Sequence, residues 1–206
     1  MRILTLSVEN TVIKENIDLN SLNPAQRNVV VDLFGPMLVV AGAGSGKTRV
    51  LTLKIAYLIS QGVSPYNIMA VTFTNKAANE MKARLASIIG EETVKKIWIG
   101  TFHSVCGRIL RLDIDKLKDG REKNFVIADE SIILSYIKQA IKEMNLDMER
   151  YKPKVVYSAI SNAKNAMMTA TEYSQQADDY YKDVVGKIYQ KYEELLIKNN
   201  TLDFDD

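Results

Sequence analysis

Residues 38–48, Leu-Val-Val-Ala-Gly-Ala-Gly-Ser-Gly-Lys-Thr, constrain this chain more than any other stretch. Met37 to Ala41 is an apolar run that reads as a buried parallel strand. It leads into Gly42, Gly44 and Gly46, with Ala43 and Ser45 between them. Residues without Cβ atoms take unusual dihedrals and bring backbone N–H groups close to phosphate oxygens. Lys47 then supplies an ammonium that reaches the terminal phosphates, and Thr48 a hydroxyl for Mg2+. The segment that follows reads as a helix through Val50, Leu51, Ile55, Leu58 and Ile59, with Gly62 closing it. Its N-terminus favours an anion. The pattern predicts a phosphate-binding loop for ATP or GTP. Ala41 stands where the strict pattern has glycine, at a position that requires only a small side chain.

The rest of the first half alternates strand and helix. Asn67 to Phe73 and Ile97 to Phe102 read as strands, and Lys76 to Ile89 and His103 to Leu112 as helices. Alternation of this kind predicts a parallel, doubly wound α/β sheet. After Asp113 the pattern changes, and helices are expected over Ser131 to Asn145, Lys154 to Met168 and Thr171 to Lys198. The expected organisation is an arm over 1–20, an α/β core over 21–112, a helical insertion over 113–200 and a return to the core from 201.

Composition sets limits. Lys and Arg number 27 against 25 Asp and Glu, so no global basic field points to nucleic acid and any such contact must be local. Cys106 is the only cysteine and His103 the only histidine, which excludes an internal disulfide and cysteine or histidine metal clusters. The chain lacks an apolar run of membrane-spanning length, and the expectation is a soluble, cytoplasmic protein.

Ligands of open α/β sheets bind outside the carboxyl ends of the strands. Two such ends stand out: Thr72-Phe73-Thr74-Asn75-Lys76 and Gly100-Thr101-Phe102-His103-Ser104. Each sets an aromatic ring among hydroxyls, an amide or an imidazole, a mixture suited to stacking bases and holding the phosphates of a single strand.

These segments, together with Leu22-Asn23-Pro24-Ala25-Gln26 and Arg49-Val50-Leu51-Thr52, resemble successive motifs of UvrD/Rep/PcrA-type superfamily 1 DNA helicases. The resemblance continues through Ile160-Ser161-Asn162-Ala163-Lys164-Asn165 and Leu202-Asp203-Phe204-Asp205-Asp206. It implies a RecA-like P-loop core with an inserted helical subdomain, and use of ATP and Mg2+ to move along single-stranded DNA or at a junction with duplex. Gln26 would read the adenine, with Ala41 to Arg49 around the phosphates. Thr72, Phe73, Thr74, Asn75, Thr101, Phe102 and His103 would line the DNA track, and Lys154 and Lys164 would be candidates for phosphate contacts.

A nucleoside triphosphatase of this type also needs an acidic pair, one carboxylate for magnesium and one to orient water. Phe125-Val126-Ile127-Ala128-Asp129-Glu130 has that form. By spacing alone it supports a self-contained P-loop kinase or switch. The helicase resemblance instead makes Asp129 a helix cap and puts the acidic motif, the second motor half, and any nuclease of a helicase-nuclease beyond residue 206. On that reading the chain is an N-terminal piece that binds nucleotide and turns it over poorly.

Overall fold

The computed structural model describes residues 17–206, which form a mixed α/β structure with short parallel sheets. They divide into two compact units, one ending at Cys106 and one running from Gly107 to Asp206. Residues 1–16, most of the expected N-terminal arm, lie outside the described part.

In the first unit the chain enters through a turn in which Asp18 accepts the N–H groups of Asn20 and Ser21 at 3.1 and 3.2 Å. Helix α1 (Pro24–Val31) follows, with Pro24 in its first turn and Asn23 at its N-cap. Helix α2 (Lys47–Ser60) begins at Gly46, whose φ of 81° is a left-handed conformation that a side chain would strain. Strand β1 (Met69–Thr72) leads to α3 (Asn75–Ile89), and after the short α4 (Glu91–Val94) strand β2 (Trp98–Thr101) lies parallel to β1. Helix α5 (Phe102–Asp113) crosses the division between the units. Val30, Leu53, Ala56, Ile59, Met81, Leu85 and Ile99 form the centre of this unit's core, and Ile17 joins them.

The expected strand at Met37–Ala41 is not formed. Leu38 and Val40 are each 88% exposed, and no strand pairs with this run among the described residues. A parallel strand is ordered by neighbours along its edges. Here β1 and β2 pair only with each other among the described residues, and the run before the phosphate loop is unpaired and exposed.

In the second unit, β3 (Val126–Ile127) leads to α6 (Glu130–Glu143), α7 (Pro153–Asn165), α8 (Ala170–Gln175), α9 (Tyr180–Lys198) and β4 (Thr201–Leu202), which lies parallel to β3. The unit is helix-dominated, with one strand pair rather than helices alone. Its core gathers Ile133, Ile137, Ile141, Val156, Ile160, Ile188, Tyr192 and Leu196.

The helix expected over Thr171–Lys198 is broken into α8 and α9. Each piece has its own cap: Thr169 and Glu172 close a capping box on α8, and Asp179 accepts the N–H of Lys182 at 2.8 Å at the head of α9. Gly186 makes the fold-back feasible, because a Cβ there would sit 3.2 Å from the backbone Cα of Ser174 as well as against its hydroxyl.

Candidate nucleotide and DNA site

The phosphate loop folds as its glycines require. Gly44 and Gly46 both have positive φ, at 76° and 81°, and the N–H of Ser45 donates to the carbonyl of Gly42 at 3.4 Å. Lys47 and Thr48 therefore open α2, where unsatisfied N–H groups and the helix dipole favour an anion. The Lys47 ammonium donates to the carbonyls of Ala41 and Gly42, at 2.9 and 2.6 Å. It lies against the start of the loop that it has to serve. Thr48 is exposed at the helix start, and its carbonyl accepts the hydroxyl of the buried Thr52 at 2.8 Å. Arg49 donates to the hydroxyl of Ser21 at 2.5 Å, tying the entry turn to α2.

Gln26 occupies the centre of this arrangement. Its Oε1 accepts the N–H of Asn23 at 3.1 Å while Asn23 Oδ1 accepts the N–H of Gln26 at 2.9 Å, a reciprocal capping box. Its Nε2 donates to the carbonyl of Ser45 at 2.9 Å. One side-chain amide thus joins the head of α1 to the middle of the phosphate loop. Sequence reasoning placed Gln26 on the base and missed this link to the loop, which only the fold brings within reach.

Beside the loop lies a cavity of about 510 Å³. Val29, Val39, Val40, Val50 and Leu51 give it apolar walls, and Gln26, Ser45, Lys47 and Lys54 supply polar atoms. Lys54 is anchored on the carbonyls of Val29 and Asp32 at the end of α1. The combination suits a ligand with an apolar body and a negative end.

The two strand ends singled out in the sequence meet in the sheet. Thr72 pairs in register with Thr101, the last residues of β1 and β2. Thr72 Oγ1 donates to the carbonyls of Thr74 and Gly100, at 3.0 and 3.4 Å. Thr74 caps α3 by accepting the N–H of Ala77 at 3.1 Å, which places Asn75 at the exposed first position of that helix. Thr101 accepts the N–H of Ser104 at 3.3 Å. The register sets Phe73 beside Phe102, with ring centroids 5.8 Å apart and a tilt of 52°. Phe73 is 92% exposed and Phe102 52%, so the pair is not core packing. Exposed aromatic rings side by side, with His103 exposed next to them, form a platform on which bases can stack.

Asp129 is a cap. Its Oδ1 accepts the N–H of Ile132 at 2.9 Å and the hydroxyl of Ser131 at 2.6 Å, and these bonds to the Ser131 hydroxyl and Ile132 N–H hold its carboxyl below the usual carboxylate range. Glu130 pairs with Lys154 at 3.5 Å. The preceding strand is two residues long and exposed, unlike the buried strand that carries an acidic motif. Lys164 departs from its expected part in phosphate contact. It is buried and encircled by carboxylates, with a side chain only 7% exposed.

A glycine-rich loop closed by Lys-Thr at a helix start, on an α/β unit, defines a phosphate-loop nucleotide-binding protein. Residues 22–206 match the family of the UvrD/REP helicase N-terminal domain, and the chain belongs to that family. It is 51% identical over 189 residues to the ATP-dependent DNA helicase PcrA of Bacillus subtilis (strain 168), covering 91% of this chain and 25% of that protein. It is 47% identical over 192 residues to the PcrA of Staphylococcus epidermidis (strain ATCC 35984), covering 93% and 26%, and 46% identical over 192 residues to that of Staphylococcus aureus (strain Mu50), again 93% and 26%. The chain spans about a quarter of the length of these curated relatives. Among the described residues no helix is long and apolar enough to cross a membrane.

Proposed function

We propose that this chain is the N-terminal ATP- and DNA-binding part of an ATP-dependent DNA helicase that moves 3′ to 5′ along single-stranded DNA in the cytoplasm, in repair or replication. One observation carries the reading: the phosphate loop at the head of α2 and the paired Phe73–Phe102 platform belong to the same unit, the latter at the carboxyl ends of β1 and β2. The family membership and the order of motifs support it.

On this reading residues 21–112 serve as the motor half, 113–200 as a helical insertion, and 201–206 as the start of the return to the motor, completed by the rest of the protein. Ala41 to Thr48 offer backbone N–H groups to the phosphates, and Lys47 exchanges the carbonyls of Ala41 and Gly42 for phosphate oxygens. Thr48, exposed in the first turn of α2, would offer its hydroxyl to a Mg2+ shared with the phosphates. A Mg2+ held there would supply positive charge to offset the charge on the transferring phosphoryl group. Gln26 and Arg49 flank the nucleotide, with Gln26 tied to the loop it serves. Thr72, Thr74, Asn75, Thr101 and His103 surround the two phenylalanines as polar contacts for the strand. The test is ATP hydrolysis by the full-length protein with and without single-stranded DNA. Strong stimulation that disappears in Lys47→Ala is expected, and hydrolysis indifferent to DNA would overturn the reading.

A further inference from the structure

A lysine sits almost wholly out of solvent in the second unit, held by groups distant in sequence. The Lys164 ammonium lies 2.9 Å from Asp203, 2.8 Å from Asp206 and 2.7 Å from Glu193. Asp203 is fully enclosed, and its Oδ2 also accepts the Tyr192 hydroxyl at 2.8 Å. Its other oxygen accepts the N–H groups of Asp205 and Asp206, each at 2.9 Å, while Asp206 Oδ2 accepts the N–H of Asp203 at 2.8 Å. Arg121 closes the far side on Glu193 at 3.4 Å. Residues 203–206 are thereby wound into a turn and fastened to α7 and α9.

Such a cluster is a poor way to gain stability, since apolar side chains of similar volume serve as well or better. What it does provide is one geometry. Three carboxylates brought this close repel one another, and their attraction to the single Lys164 ammonium is what offsets that repulsion, so the arrangement holds only while they stay centred on it. The turn lies immediately after β4, and the β3–β4 ladder runs up to it: the N–H of Ala128 donates to the carbonyl of Leu202 at 2.7 Å. The placement of Asp203 and Asp206 after β4 is therefore set by Lys164.

We propose that Lys164 is a positioning residue: by gathering Asp203, Asp206 and Glu193 it fixes the path of the chain as it leaves the second unit, and DNA-stimulated ATP turnover depends on that path. This rests on the helicase reading above. Lys164 belongs to the second unit, and the phosphate loop and the Phe73–Phe102 platform to the first, so the proposed effect is on turnover and not on binding of either ligand.

The experiment is carried out in the full-length protein that contains this chain, with Lys164→Met, the charge-relieved triple variant Lys164→Met/Asp203→Asn/Asp206→Asn, and Lys47→Ala as a control. Lys164→Met is expected to speed amide exchange at Asp203, Asp205 and Asp206 at least tenfold while α6 and α9 stay protected, and to lower DNA-stimulated kcat roughly tenfold with the KM for ATP unchanged. The triple variant should regain the melting temperature but not kcat. A kcat that recovers together with the melting temperature would reduce Lys164 to a folding role and overturn the proposal. So would an unchanged kcat in Lys164→Met. If Lys47→Ala leaves turnover intact, the helicase reading itself fails, a result distinct from either of these.

Discussion

Gln26 donates its side-chain amide to the carbonyl of Ser45 at 2.9 Å, and through this bond the cap of α1 holds the middle of the phosphate loop. Gly46 is favoured by its φ of 81°, and a Cβ there would also crowd Gln26 Nε2 at 3.3 Å. The link separates two functions that one substitution can pull apart. Gln26→Glu keeps an oxygen for the Asn23 N–H and loses the donor to Ser45. It is predicted to leave the melting temperature nearly unchanged and to weaken triphosphate binding roughly tenfold or more, the worth of a hydrogen bond plus an added negative charge. Calorimetric titration with a non-hydrolysable triphosphate, set beside a thermal melt, checks both halves.

The phenylalanine pair makes a second prediction. Because Phe73 and Phe102 are exposed, Phe73→Ala and Phe102→Ala should each shift the melting temperature by no more than about 2 °C. Each should weaken binding of single-stranded oligonucleotides by roughly 5- to 100-fold, the cost of about 1–3 kcal/mol per lost stack. Fluorescence anisotropy with a labelled oligonucleotide reads this, and undiminished affinity in the double variant would remove the platform from the DNA track.

Asp129 supports a third. Asp129→Ala removes the acceptor for the Ile132 N–H and the Ser131 hydroxyl. The expected result is a melting temperature lowered by roughly 2–5 °C with triphosphate affinity unaltered. A loss of magnesium-dependent nucleotide binding would instead make Asp129 a metal ligand.

The Lys164 cluster predicts a pH dependence. Burial acts to lower the Lys164 pKa, but Asp206, Glu193 and Asp203 outweigh it and hold it above its usual 10.5. Burial acts to raise that of Asp203, but Lys164 and the Tyr192 hydroxyl hold it below its usual 3.8. A raised lysine contributes stability that is fully present below its unfolded value of about 10.4 and is lost as the pH climbs through the folded one. A depressed aspartate contributes stability that is present above about pH 3.9 and is lost as the pH falls through its folded value. Glu193, pushed up mainly by burial, acts in the opposite sense and favours the folded state as it takes up a proton. The destabilisation caused by Lys164→Met, about 3–5 kcal/mol for breaking a buried pair, should be greatest between about pH 5 and 10 and shrink below about pH 4. Melting curves of both proteins across that range measure it.

Much of the first unit was legible in the sequence because its signals are local. The glycines, Lys47 and Thr48 lie within seven residues of one another. Asp129 is less plain: by spacing it imitates an acidic motif, and only the helicase resemblance pointed to the cap at the head of α6. The two strand ends stood out in the sequence as edges where ligands bind, but the register that sets Thr72 opposite Thr101 comes from the fold. The rest depends on contacts distant along the chain. Lys164 reads as a solvated lysine until carboxylates 29 to 42 residues away close around it. Met37–Ala41 has the composition of a buried strand, but composition does not supply the neighbours that would cover it. The break between α8 and α9 did carry a signal, Asp178-Asp179 ahead of a new apolar stripe, and the stripe masked it.

The measurement that bears most directly on the account is triphosphate binding and hydrolysis by the 206-residue chain, alone and with single-stranded DNA, for the unaltered protein, Lys47→Ala and Glu130→Gln. The account predicts binding that is lost in Lys47→Ala and kept in Glu130→Gln, with negligible turnover in all three. Robust turnover that vanishes in Glu130→Gln while binding persists would contradict it, and would make Asp129 and Glu130 the acidic pair of a self-sufficient phosphate-loop enzyme.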